Sequence, residues 1–271
     1  MDSAYLEQLL IWRRQKEDDL HRRDSWLALA GLHWLAEGRQ TAGAAASADV
    51  CLPPSFPDHL GDFEVRRGQV FFHPAPSLTL DGLPPQGDPL QADTAEEPTF
   101  LRVGDLTLVV IERGRRLGLR IWDNGRLATA DLPGRSWYAP DSAWRIEASF
   151  EPAGAQATIP VPSVTGDVAT ELLLGTAHFN LRGRSASLRA VPADGGRLWF
   201  LFGDSTNEAT TYPSGRFLVA EGPRNGGTVL DFNRAYNPPC AFTPFATCPL
   251  PPSGNRLPFP IEAGERYPHE S

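Results

Sequence analysis

Leu106-Thr-Leu-Val-Val-Ile-Glu-Arg-Gly-Arg-Arg-Leu-Gly-Leu-Arg-Ile-Trp-Asp123 is the stretch whose reading decides the fold. Two apolar, partly β-branched runs flank Gly114, which is the pattern of a strand, a tight turn and a returning strand. The same grammar recurs on both sides. Phe63-Glu-Val-Arg turns at Arg67-Gly68 and returns as Gln69-Val-Phe-Phe, a second hairpin. Further strands are expected over 144–151, 157–161, 176–182, 187–191, 197–202, 217–220 and 228–232. The 25 Gly and 26 Pro, against a single Met, supply the turns that many short strands need. No period of about 20–50 residues repeats, which excludes a propeller or solenoid. The expected class is mainly β, a barrel or sandwich of short antiparallel strands with N-terminal helices packed against it.

Helical spacing is confined to the N-terminus. Tyr5, Leu6, Leu9, Leu10 and Arg13 recur at helical intervals, and the charged run Arg13–Arg23 extends them. Asp24-Ser25 reads as a cap before Trp26-Leu-Ala-Leu-Ala-Gly-Leu-His-Trp-Leu-Ala-Glu, with Gly38 as the stop, predicting a second, buried helix. Its His33 reads as a part-buried side chain with one local partner. The chain thus divides into a helical segment, 1–38, and a β-rich domain, 39–271, forming one structural unit.

Composition narrows the function. The 271-residue chain carries a formal charge of −8 and no basic stripe, which excludes a nucleic-acid footprint. Its apolar runs fall well short of the roughly 20 residues that span a bilayer, so no membrane association is expected. The polar N-terminus has no signal-peptide core, and three cysteines make no secreted scaffold, so a cytoplasmic protein is expected. Nucleophile elbow, His-Glu-x-x-His, phosphate-binding loop and dinucleotide fingerprint are all missing from the sequence.

The informative chemistry lies between Asp204 and Asn255. Asp231 and Asn233, two apart in an extended segment, share a face and set a carboxylate beside an amide. Asn237 and the Asp204–Thr206 turn add oxygens, a set that suits Mg²⁺ or Ca²⁺ better than a soft metal. The acidic spacing matches no calcium loop, however, and a buried hydrogen-bond knot is the preferred reading, with no metal assigned. Cys240 and Cys248 lack zinc-site spacing. Buried, reduced thiols are the simpler expectation, with a redox pair or a Cys240 nucleophile as the sharper alternatives. Arg116 and Arg120 flank Gly118 on one strand face, where two guanidiniums would cradle an anion, and Arg216 is a third candidate. The tryptophans, among them Trp122, Trp137, Trp144 and Trp199, are assigned to the core.

At these residues the sequence resembles a known family. Asp204-Ser-Thr with Thr211-Tyr-Pro-Ser-Gly-Arg-Phe-Leu, and Asp231-Phe-Asn-Arg-Ala-Tyr-Asn-Pro-Pro-Cys-Ala-Phe with Cys248-Pro-Leu-Pro-Pro-Ser-Gly-Asn-Arg-Leu, resemble two signatures of the bacterial and archaeal domain-of-unknown-function family 1684. Trp26-Leu-Ala-Leu-Ala-Gly-Leu-His-Trp-Leu, the Arg113–Asp123 hairpin and Trp144-Arg-Ile-Glu-Ala-Ser-Phe-Glu-Pro also fit. One departure is Asn207-Glu208, where the family pattern implies a glycine. The resemblance implies no activity, cofactor or partner.

Three readings of function follow. In the first, a small-molecule site, for an anion and with or without catalysis, is lined by Asp204, Thr206, Tyr212, Arg216, Asp231, Asn233, Tyr236 and Asn237, with Arg116 and Arg120 on the anionic group. Asp204, Asp231 and Cys240 are its candidate catalytic groups. In the second, the signature loops are a structural knot in a non-catalytic interaction protein. The third is a flavin-binding barrel. Cofactor and oligomeric state have no signal in the sequence.

Overall fold

The computed structural model describes residues 2–76, 78–129, 132 and 134–267. It is mainly β, with eighteen strands among the described residues and one long helix, α1 (Ser3–Leu20). No described helix is long and apolar enough to cross a membrane. The chain forms two compact units, one of 19–132 with 243–246, the other of 1–18, 133–242 and 247–271.

The first of these units holds two four-stranded sheets. One orders β1 (Leu29–Trp34), β8 (Arg116–Asp123), β7 (Leu106–Arg113) and β6 (Phe100–Val103). The other orders β3 (Val50–Cys51), β2 (Gly38–Gly43), β4 (Gly61–Arg66) and β5 (Gln69–Pro74). The two expected hairpins are present. β7 and β8 pair without a break from Leu106↔Asp123 to Arg113↔Arg116. β4 returns as β5 through Arg67 (φ 54°) and Gly68 (φ 74°), the left-handed pair that lets a two-residue turn follow strand twist. Buried Leu101, Leu108, Val110 and Leu119 join Phe63, Val65 and Val70 in one core.

The predicted helix over 24–38 is corrected. After a turn at Trp26–Ala28 the segment runs as β1 and pairs antiparallel with β8, with a bulge between Leu29 and Gly31. A sequence apolar all round does not tell a buried helix from a buried strand, and β8 decides the matter by supplying partners for its backbone. Gly31 fits the bulge because a Cβ there would press on the Ile121 side chain at 3.2 Å. His33 has the single local partner expected of it, Gln40, at 3.2 Å.

The second unit is built on a six-stranded sheet of order β16 (Arg216–Ala220), β15 (Arg197–Phe202), β14 (Arg184–Ala193), β13 (Gly175–Leu181), β10 (Arg145–Pro152) and β17 (Gly227–Asp231). A hairpin of β11 (Thr158–Pro162) and β12 (Val168–Leu172) and a short pair of β9 (Ser136–Trp137) with β18 (Glu265–Arg266) complete it. Alternation along β10 buries Ile146, Ala148 and Phe150, which pack with Phe179, Phe200, Phe202 and Phe232.

Candidate binding cavity

The polar residues of the Asp204–Asn255 region are largely spent on one another. Arg216, fully buried on β16, donates through Nη2 to Asp204 Oδ2 (2.8 Å) and to the Ile261 carbonyl (2.8 Å). Its Nη1 donates to the carbonyls of Ala263 and Glu265. With a bend at Gly264 (φ 77°), the segment turns three carbonyls toward one planar guanidinium, which fixes 261–265 against the sheet. Asp204 Oδ1 accepts from the Thr206 amide (2.8 Å), the Thr206 hydroxyl (2.6 Å) and the Ile261 amide (3.1 Å). Asn255 ties β14 to β15 through Arg189 and the Leu201 carbonyl.

Asp231 and Asn233 meet, though not as two residues of one extended face. β17 ends at Asp231, and Phe232–Arg234 forms a 3-10 turn that brings Asn233 Nδ2 to 3.2 Å from Asp231 Oδ1. The partner that sequence reasoning did not foresee is α1. Tyr5 Oη donates to the Asp231 carboxylate at 2.9 and 3.0 Å, and Asn233 Nδ2 donates to Tyr5 Oη and to the Asp141 carbonyl. Burial and the Asp231 charge push the Tyr5 phenol up to about 12, so it stays a donor. Arg13 adds two bonds from the same helix, to the carbonyls of Tyr138 (3.0 Å) and Asn233 (3.3 Å). Arg234 Nε lies 3.4 Å from Asp231 Oδ2.

The remaining candidates are also engaged. Asn237 donates its amide N–H to Glu265 Oε2 (2.8 Å) and its Nδ2 to the Arg266 carbonyl (2.9 Å). Glu265 is buried against Arg135 Nη1 at 2.5 Å, and burial pushes its carboxyl up to about 7, against the pull of that arginine. Tyr212 Oη donates to the Cys240 carbonyl at 2.9 Å. Arg116 and Arg120 belong to the other unit, on β8. There the space above Gly118 is filled by the Trp34 ring, over which Arg116 stacks at 4.0 Å. Arg120 is buried near the rings of Trp26 and Trp122 and 3.9 Å from Asp93.

Tyr236, with Arg234 two residues before it, borders a cavity of about 430 Å³ within its unit. Trp12 and Lys16, four apart and therefore on one face of α1, form one wall. Arg197 and Trp199, two apart on β15, form another beside Val219. Arg234 and Tyr236 enter from the turn that Asp231 anchors, and Asp194 and Glu221 supply carboxylates. Lys16 Nζ lies 4.5 Å from the Tyr236 ring centre, and the Arg234 guanidinium 5.7 Å from that of Trp12. Trp12 and Tyr236 meet edge to face at 6.3 Å. Burial pushes the Tyr236 phenol up to about 12, against the pull of Arg135 and Arg197. Trp199, expected wholly in the core, instead shows part of its ring to the cavity. Trp122 and Trp144 do lie in the core, and Trp137 is half-buried beside Trp12.

A family model described as "Protein of unknown function (DUF1684)" matches residues 130–266. The chain belongs to the DUF1684 family. A similar solved structure, by solution NMR, is the uncharacterized protein from gene locus rrnAC0354 of Haloarcula marismortui. It is 32% identical over 52% of this chain and 80% of that one, with a TM-score of 0.44. No curated protein matches. The DUF1684 match contains the strand and turn residues of the cavity, Arg197, Trp199, Glu221, Arg234 and Tyr236, whereas Trp12 and Lys16 lie outside it. Within Asn207-Glu208, where a glycine was expected, Glu208 takes φ 71°, the left-handed region that favours glycine.

Proposed function

We propose that this protein binds a small anionic molecule with a flat ring, of the aromatic carboxylate class, in the cavity between α1 and β15. The observation that carries this reading is the convergence of Lys16, Arg197 and Arg234 with Trp12, Trp199 and Tyr236 around one opening. In a chain of net charge −8 the lining is itself net positive, three cations against Asp194 and Glu221. A ring lying on Trp12 or Tyr236 removes apolar surface from water, and its carboxylate meets cations already held beside aromatic faces. The volume falls within the roughly 300–1,000 Å³ of small-molecule sites. The cations and aromatic faces of the lining suit recognition of such a ligand.

The Asp204, Arg216, Asp231 and Asn233 cluster is then the frame that holds the cavity residues, which unites the small-molecule reading with the structural-knot reading. Thermal melts with a panel of aromatic carboxylates and their neutral amides test the proposal. A carboxylate that binds raises the melting temperature in proportion to ln(1 + [L]/Kd), and its amide does not. Lys16→Gln and Arg197→Gln should each abolish the shift, and Arg197→Gln, at an exposed residue, should do so without changing the melt of the protein alone. Equal shifts for acids and amides, or full shifts in both variants, would sink the idea.

A further inference from the structure

Cys240 and Cys248 sit together on the side of the unit where Tyr212 lies. Both carry thiols, Cys240 half-buried and Cys248 buried. Cys240 stands in a 3-10 turn over Pro239–Ala241, after two prolines that fix its approach. Its amide N–H donates to the Cys248 sulfur at 3.1 Å, which sets the two cysteines side by side. The Tyr212 hydroxyl lies 2.9 Å from the Cys240 carbonyl.

We propose that Cys240 and Cys248 are a hydroperoxide-sensitive thiol pair, with Cys240 the attacking sulfur and Cys248 the resolving one. The reaction balances in two steps. The Cys240 thiolate attacks the outer oxygen of a hydroperoxide ROOH, breaking the O–O bond. Cys240 becomes a sulfenic acid, and the leaving alkoxide takes a proton to become ROH. The Cys248 sulfur then attacks the Cys240 sulfur, an S–S bond forms, the S–O bond breaks, and the hydroxyl departs as water with the Cys248 proton. Two electrons pass from the thiols to the peroxide.

Three features assign the roles. Cys240 is the more accessible residue of the two, as the first step requires. Hydrogen bonding with Cys248 favours its thiolate and holds its pKa below the ordinary thiol range against the effect of burial. Cys248 is 3% exposed, so it meets peroxide poorly yet lies in place to capture a sulfenic acid on its neighbour. Cys51, exposed and on β3 of the other unit, is a built-in control with no cysteine beside it. The proposal is independent of the cavity reading.

The test is stoichiometric hydrogen peroxide added to the reduced full-length protein, followed by alkylation of remaining thiols and peptide mass spectrometry. The expected product is a Cys240–Cys248 disulfide formed at least tenfold faster than Cys51 is oxidised, and reversed by dithiothreitol. In Cys248→Ser the reaction should stop at a Cys240 sulfenic acid that a dimedone probe traps. Cys51 reacting as fast as Cys240, or Cys240 oxidised in the wild type without the disulfide, would overturn the proposal. So would a Cys248→Ser protein with no trappable sulfenic acid. The wild-type measurement stands even if either variant fails to fold.

Discussion

Asp231 illustrates how one carboxylate serves several neighbours. It accepts from Tyr5 and Asn233 and faces Arg234. Asp231→Asn keeps size and removes charge, leaving a buried donor network with a poorer acceptor. It should lower stability by roughly 1–3 kcal/mol, read from denaturant melts. An unchanged midpoint would mean that Asp231 does not hold the helix. Glu208 offers the opposite test. Its φ of 71° costs an L-residue about 1–2 kcal/mol, and the entropic cost of glycine recovers only part of that. Glu208→Gly should therefore raise stability by about 0.5–1 kcal/mol, and a loss in the same melts would contradict it. The sequence made Asp204, Asp231 and Asn233 conspicuous because acids and amides beside prolines are uncommon. It did not show that they meet buried partners, since those partners are Arg216 and, 226 residues away, Tyr5. Apart from Tyr236, the cavity residues were missed for a related reason. Lys16, Arg197 and Arg234 each look like ordinary surface charge, and only the i, i+4 pair Trp12–Lys16 and the alternating pair Arg197–Trp199 carry a local signal of a shared face.

Among elements, the strands were the legible part. β7 and β8 could be read from sequence because two apolar, partly β-branched runs and a central Gly-Arg turn agree. β1 was misread because its hydrophobic residues fit either periodicity and its bulge breaks the strand pattern. β12, exposed along its whole length, gave no hydrophobic pattern to read. The helix α1 is the element on which the proposed site depends. Leu9 and Arg13 are buried, while Leu10 and Ile11 face outward, so side-chain hydrogen bonds carry much of its attachment. Tyr5→Phe deletes the hydroxyl that joins helix to turn. It should increase amide exchange across Ser3–Leu20 before it affects β13 or β15. Exchange rising equally in all three elements would show that α1 has no separate stability.

At the scale of the whole molecule, stability should depend on pH through Glu265. Burial lifts its folded value to about 7 from an ordinary 4.5. Between those values the folded chain holds a proton that the unfolded chain has lost. The contribution is therefore complete below about pH 4.5 and falls away as pH rises toward 7. Glu265→Gln imitates the protonated side chain and should flatten this decline, which amounts to at most about 3 kcal/mol in chemical denaturation between pH 5 and 7. Parallel pH profiles for variant and wild type would rule it out.

The bond from Tyr5 to Asp231 has a consequence for the order in which the molecule is made. Once synthesised, α1 must wait for a carboxylate encoded 226 residues later, which at about 5–20 residues per second is a delay of roughly 10–45 s. Throughout that interval Leu9 and Arg13 lack their final surroundings, and the wall of the cavity that α1 supplies does not yet exist. Closing so long a loop comes late and slowly, so the docking of α1 follows the formation of the more local strand pairings.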